Sequence, residues 1–230
     1  MERNSDLLAG AILRMERLRQ GMEQKAVCYG LCVPSYLCKI EQGTVHPNPD
    51  LLSALYQRLG IVYTQEESLL HPLKQMLQDY FTRLEYGLDI QETYETLQAQ
   101  ADTLRHSPLA LHWLLVQGYQ GEAVLPLLEQ LQAAMTDRQL ALYKLLRCRA
   151  DPMAPGALAL CQEACHVLNC SAAMMELASL YLLHGDYAAI HRMESRLVAA
   201  AVEEGNVYCL ADYCFMNATA YACLNQEKSE

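Results

Sequence analysis

Ser35, Tyr36 and Lys39 would place two hydroxyls and an ammonium group on or beside the outward side of one short helix. Such groups hydrogen-bond base edges and hold phosphates when the helix lies in a major groove. The stretch that carries them, Met22 to Gly43, reads as two short helices joined by a tight turn. The first spans about Gln24 to Tyr29. The turn falls at Gly30-Leu31-Cys32, where glycine accepts backbone angles other residues resist. The second helix opens at Pro34, whose ring suits a first helical position, and stops at Gly43. Leu37 and Ile40, three apart, share its inward face. Gln24 and Lys25 are expected on phosphate at the start of the first helix. Pro34, Ser35, Tyr36 and Lys39 complete the expected DNA-facing set, and Thr44, His46 and Asn48 follow in the loop behind it.

Other reactive side chains suggest less. Ten cysteines are many, but most interrupt helical apolar patterns, where a reduced thiol acts as a small hydrophobe. Cys161, Cys165, His166 and Cys170 lack the second Cys pair that zinc sites use, so no metal ligand set and no cofactor is expected. Cys28, Cys32 and Cys38 suggest a redox switch only if a thiol there has a cationic neighbour. The chain carries no glycine-rich phosphate loop, no H-E-x-x-H and no G-x-S-x-G, and no enzymatic activity is expected.

Composition frames these groups. With 230 residues, 52% of them hydrophobic and 19% charged, the chain has material for one or two packed domains. Leu, Ala, Gln, Glu and Met are plentiful while β-branched alternation is almost absent, so the expected fold class is all-α. No apolar run nears the roughly 20 residues a membrane span needs. The charged N-terminus lacks the apolar core of a secretion signal, which points to the cytoplasm and to no membrane partner. The net charge of −10 is uneven: residues 1–63 hold seven Lys/Arg against six Asp/Glu, and residues 64–230 hold ten against twenty-one. Phosphates respond mainly to charges within about a Debye length, so an acidic body does not exclude a DNA-binding head.

Helical periodicity also places Leu7 to Gln20, with Leu8, Ala11, Ile12, Met15 and Leu18 on one face. Asp50 is expected to cap a helix over Leu51 to Leu59, and Gln65 to about Tyr86 follows, kinked or divided at Pro72. Together RLRQGMEQ, SYLCKIEQG, the proline after the loop, and LLSALYQRLGI resemble an XRE/Cro-type, lambda-repressor-like helix-turn-helix domain of five helices. The resemblance covers about Leu8 to Ile61, although the stretch from Gln24 to Tyr36 is one residue short of the family's spacing. It implies double-stranded DNA as partner, a homodimer on a two-part operator, and a structural pair between Arg17 and Glu41.

Beyond Tyr86 the chain breaks at fairly even intervals, at 87–89, 107–108, 118–121, 136–137, 151–156, 170–171, 185–186 and 205–206. Ala178-x2-Tyr181-x3-Gly185-Asp186-Tyr187 resembles the turn of a tetratricopeptide repeat, so a TPR-like α-solenoid is expected. The expected division is therefore a DNA-binding domain at 1–63, a connecting helix at 64–87 and a helical-repeat domain at 88–230. A helix-turn-helix head followed by TPR-like helices resembles the Rgg/PlcR-like RRNPP group of regulators. That resemblance implies a short signalling peptide as effector, for which Tyr181, Asn206, Tyr213 and Asn217 are the candidate residues. The competing reading is a protein-interaction module whose head does not bind DNA.

Overall fold

The computed structural model describes residues 2–227, and side chains over residues 7–224. It is all-helical: fourteen α-helices, one 3-10 turn and, among the described residues, no strand. No helix among them is long and apolar enough to cross a membrane. Contacts divide the chain into two units. Unit 1 comprises residues 1–78 and 93–136, and unit 2 comprises residues 79–92 and 137–230. The boundaries expected at residues 63 and 87 are not those along which the contacts divide. Residues 93–136, expected in the repeat array, cluster instead with the head.

In unit 1, α1 (Glu2–Arg19), α2 (Gln24–Cys28), α3 (Pro34–Glu41) and α4 (Pro49–Arg58) form the head. α1 begins well before Leu7, and its apolar period buries Ala11, Ile12, Leu13 and Met15. α4 opens one residue earlier than Asp50 would place it. Pro49 takes the first position, and the Asn48 side chain is the cap, accepting a hydrogen bond from the Asp50 N–H at 2.8 Å. Asp50 instead sits in the first turn, where its charge complements the helix dipole. α5 (Glu67–Glu85) runs unbroken through Pro72, which lies near its N-terminus and so removes few internal bonds.

The rest of unit 1 is most of α6 (Gln91–Ala99), then α7 (Ala101–Arg105), α8 (Ala110–Tyr119), α9 (Leu125–Gln130) and the 3-10 turn Gln132–Ala134. α8 is apolar nearly all round and buries Leu111, Trp113, Leu114, Leu115 and Val116. A helix of that kind belongs in a core. Arg14 of α1 donates to Gln130 Oε1 at 2.6 Å, and the Thr64 N–H donates to the His106 carbonyl at 2.9 Å. These links, with the Glu16 cluster described below, place α7–α9 against the head rather than in the array.

Unit 2 holds the end of α5 with α10 (Asp137–Ala150), α11 (Ala157–Leu168), α12 (Ser171–Leu183), α13 (Tyr187–Glu204) and α14 (Val207–Glu227). Each of the helices α10–α14 packs on the next, and α12 also meets α14. Two cores result. Leu145, Cys161, Ala164 and Leu177 belong to one, and Ile190, Leu197, Tyr213 and Met216 to the other. α12 serves both, with Ala173 and Leu177 facing the first core and Met174 and Ala178 the second. α10 and α12 start about 34 residues apart, as a helical-hairpin repeat requires. Among the expected breaks, the turns at 151–156 and 184–186 separate helices as anticipated.

Candidate nucleic-acid interface

Glu23, in extended backbone, starts α2, which buries Val27 and Cys28 and leaves Ala26 exposed. The helix is only five residues long, consistent with the residue missing between Gln24 and Tyr36. Its last carbonyls lack partners within so short a helix. Arg58 of α4 supplies them, donating Nη1 to the carbonyls of Ala26, Val27 and Tyr29 at 3.4, 3.4 and 3.1 Å. The N–H groups of Leu31 and Cys32 both return to the Cys28 carbonyl, closing the turn. α3 then opens at Pro34 and buries Leu37 and Ile40 completely. Pro34, Ser35 and Lys39 are exposed on its other side and Tyr36 is half-buried.

What holds this helix is a buried ionic clasp. Arg17 on α1 grips Glu41, the last residue of α3, through Nε–Oε1 at 2.6 Å and Nη2–Oε2 at 2.9 Å. Their side chains are 11% and 3% exposed. Gln24 Nε2 adds a third donor to Glu41 at 2.8 Å, and Arg17 Nη1 also reaches the Met22 carbonyl at 3.1 Å. Both carboxylate oxygens are thereby used, which a buried charge requires. Backbone approach completes the fit. A side chain at Gly10 would collide with the Ile40 carbonyl, so α1 and α3 touch where only hydrogen fits. Gly43, at φ +62°, ends α3 against Leu7.

Lys25 and Lys39 are exposed, and among the described residues neither pairs with a carboxylate. Other candidates have structural duties. The side-chain amide nitrogen of Gln24 is committed to Glu41. Thr44 Oγ1 donates to the Lys39 carbonyl at 3.1 Å, and Asn48 caps α4. His46 is exposed. The structure therefore gathers Lys25, Ser35, Tyr36 and Lys39 on α2 and α3 as the outward groups, with Pro34 setting the start of α3.

The four effector candidates do not form one open surface. Asn206 is buried and caps α14, accepting from the Cys209 N–H at 3.1 Å while Nδ2 donates to Ser171 Oγ at 3.0 Å. Tyr213 is buried with its hydroxyl on the Ile190 carbonyl at 2.8 Å, and burial pushes its pKa up to about 12. These two are structural, a correction to the expectation that they grip a peptide. An asparagine just before a helix is a capping signal as much as a binding one. Tyr181 and Asn217 are half-buried. Gln162 Nε2 donates to the Tyr181 hydroxyl at 2.8 Å, and Asn217 Oδ1 makes a short contact with His191, whose ring stacks on Tyr221.

Among the thiols, burial and the neighbouring Cys28 raise the Cys32 pKa, which disfavours the reactive thiolate. Cys161 and Cys165 face the first core of unit 2 while His166 points outward, so the helix separates sequence neighbours. Hydrogen bonds with Cys148 and Cys165, together with burial, hold the Cys161 thiol in its protonated form.

Sequence reasoning passed over Arg58, Glu16 and His106. Glu16 is buried on α1 and receives Arg19 through both oxygens and Gln20 at 2.6 Å, with His106 Nε2 of the α7–α8 connection 3.5 Å away. Burial alone would raise its pKa, but the hydrogen bonds of Arg19 and Gln20 and the charges of Arg19 and His106 hold it at about 2. The local signal was an acid amid the arginines of α1; its partner ninety residues on had none. Comparisons with protein-family models, curated proteins and solved structures return no match.

Proposed function

We propose that the chain is a sequence-specific DNA-binding transcriptional regulator that inserts α3 into a major groove. One observation carries this reading: Arg17 and Gln24 clamp α3 from behind through Glu41 while its outward face leaves Ser35 and Lys39 exposed and Tyr36 half-exposed. A reading helix must be rigid behind and polar in front. Ser35 and Tyr36 approach base edges, and Lys39 reaches a base or phosphate with Lys25 on the flanking strand. A homodimer on two half-sites supplies the affinity that so weakly cationic a head lacks. The exposed apolar side chains of α14, Tyr208, Phe215 and Tyr221, support self-association. A peptide effector is not part of this reading, because two of its four candidate residues are buried.

The test is genome-wide mapping of the DNA occupied in cells, followed by binding measurements on the sites recovered. The Ser35→Ala, Lys39→Ala double variant is expected to lose about 1–3 kcal/mol of specific binding for a base-reading contact. If Lys39 holds phosphate, the salt dependence flattens by about one ion instead. Undiminished binding with an unchanged salt slope sinks the assignment. Capture of a protein partner with no occupied DNA site would favour the interaction-module reading.

A further inference from the structure

Away from the α2–α3 surface, unit 1 carries a half-open cavity of about 550 Å³, within the range that takes small ligands. α1 forms one wall through Ile12 and Met15, and α8 and α9 form another through Trp113 and Leu127. The lining is mainly apolar, and its polar groups are unequal in what they have left to offer. Trp113 is 2% exposed, yet its Nε1–H has no hydrogen-bond partner. A buried indole N–H ordinarily finds an acceptor, and leaving it unmatched is costly. Arg105 also lines the cavity. Its ion pair is with Asp102, 3.2 Å away and 88% exposed, a pair that water weakens and that exchanges readily. The acids of the lining are already engaged. Glu16 is taken by Arg19, Gln20 and His106, and Glu122 accepts from Gln117 at 2.8 Å and Tyr94 at 3.2 Å.

The unspent groups are therefore the Trp113 N–H and the exchangeable Arg105 cation, with His106 Nε2 buried without a hydrogen-bond partner 3.5 Å from Glu16, above a largely apolar floor. We propose that this cavity binds a small, mostly apolar carboxylic acid, with its body among Ile12, Met15 and Leu127 and its carboxylate received by Trp113 and Arg105. An amine of the same shape would face Arg19 and Arg105 and find only carboxylates in use. A neutral alcohol would satisfy the indole but leave Arg105 with its weak surface partner. The site stands whether or not α3 reads DNA, since neither Trp113 nor Arg105 belongs to that surface.

Trp113 is the only tryptophan of the chain, so its emission reports this cavity alone. The full chain is titrated with decanoate, decanol and decylammonium, each below its micellar concentration. Decanoate is expected to change Trp113 emission saturably at one equivalent, at least tenfold more tightly than decanol, and decylammonium not at all. Arg105→Gln should erase the preference of decanoate over decanol, and Leu127→Phe should weaken both by filling space. Circular dichroism establishes that each variant is folded, and the ranking in the unaltered chain needs no variant. The absence of a saturable response to decanoate overturns the proposal, as does a response equalled by decylammonium. So does a titration that neither folded variant alters.

Discussion

Unit 1 and unit 2 are built from the same element and held by different means. In unit 1 the helices α1 and α3 are joined by an individual buried ionic contact, Arg17 with Glu41, and within α1 the buried Glu16 carboxylate is held by the partly exposed Arg19. In unit 2 most of the interior is alanine, leucine and thiol repeated along successive helices, with Gln139, Ser171 and Asn206 as buried polar exceptions. A charge clasp fixes one orientation because its hydrogen bonds are directional, whereas apolar faces tolerate sliding and repacking. The difference suits a head that must present one face to a partner of fixed geometry and a body made by adding like units.

Substitution at the clasp should give the largest contrast. Arg17→Met leaves the Glu41 carboxylate buried with only the Gln24 side-chain amide donating to it, and is expected to cost about 3–5 kcal/mol. Chemical denaturation followed by Trp113 emission, which lies in unit 1, measures it. A loss below about 1 kcal/mol would place the clasp among weak surface pairs.

Acid should discriminate next. Glu16 has a folded pKa near 2 against an ordinary 4.5, so its contribution is present above about 4.5 and is lost as the pH falls toward 2. Stability followed by Trp113 emission should therefore decline through that window, and Glu16→Gln should flatten the decline. An unchanged pH profile in the variant would remove Glu16 from the account.

Packing is the level at which the two units ought to converge. Gly10→Ala pushes a methyl into the Ile40 carbonyl, and Ala178→Leu overfills the contact of α12 with its neighbours. Each is expected to cost about 1–3 kcal/mol. Backbone cannot yield as side chains can, so Gly10→Ala should lie at the upper end, measured by melting of the two variants side by side. Smallest of all, Asn48→Ala in unit 1 and Asp186→Ala in unit 2 each remove one helix cap, for about 0.5–2 kcal/mol. Matching losses at the two caps would show that the contrast between the units lies in their interiors.

How much of this was legible in the sequence depends on the range over which each interaction acts. Local punctuation read well: Pro34 opens α3, Gly43 closes it, and Gly185-Asp186 separates α12 from α13. Leu37 and Ile40 face inward because a helix places residues three apart on one side. The Arg17–Glu41 contact was expected from a family resemblance, since nothing local links residues so far apart. Where two roles share one residue type, the reading slipped. Asn206 reads as a ligand-gripping amide until the start of α14 is known, and Asn48 displaced Asp50 as the cap because Pro49 fixed the first helical position. The Glu16–His106 contact and the attachment of residues 93–136 to unit 1 are long-range packing. No periodicity reports which apolar face meets which.

α12 lies in both cores of unit 2 at once. In an ordinary stack of repeats the terminal pieces fray independently, because each leans on one neighbour only. Here both cores lose a wall if α12 departs, because the same helix closes each of them. The amide hydrogens of α12 should accordingly be the last in unit 2 to exchange with deuterated solvent, at the free energy of global rather than local opening. Two shallow reservoirs of stability thus become one deep one, with a single thirteen-residue helix as the common wall.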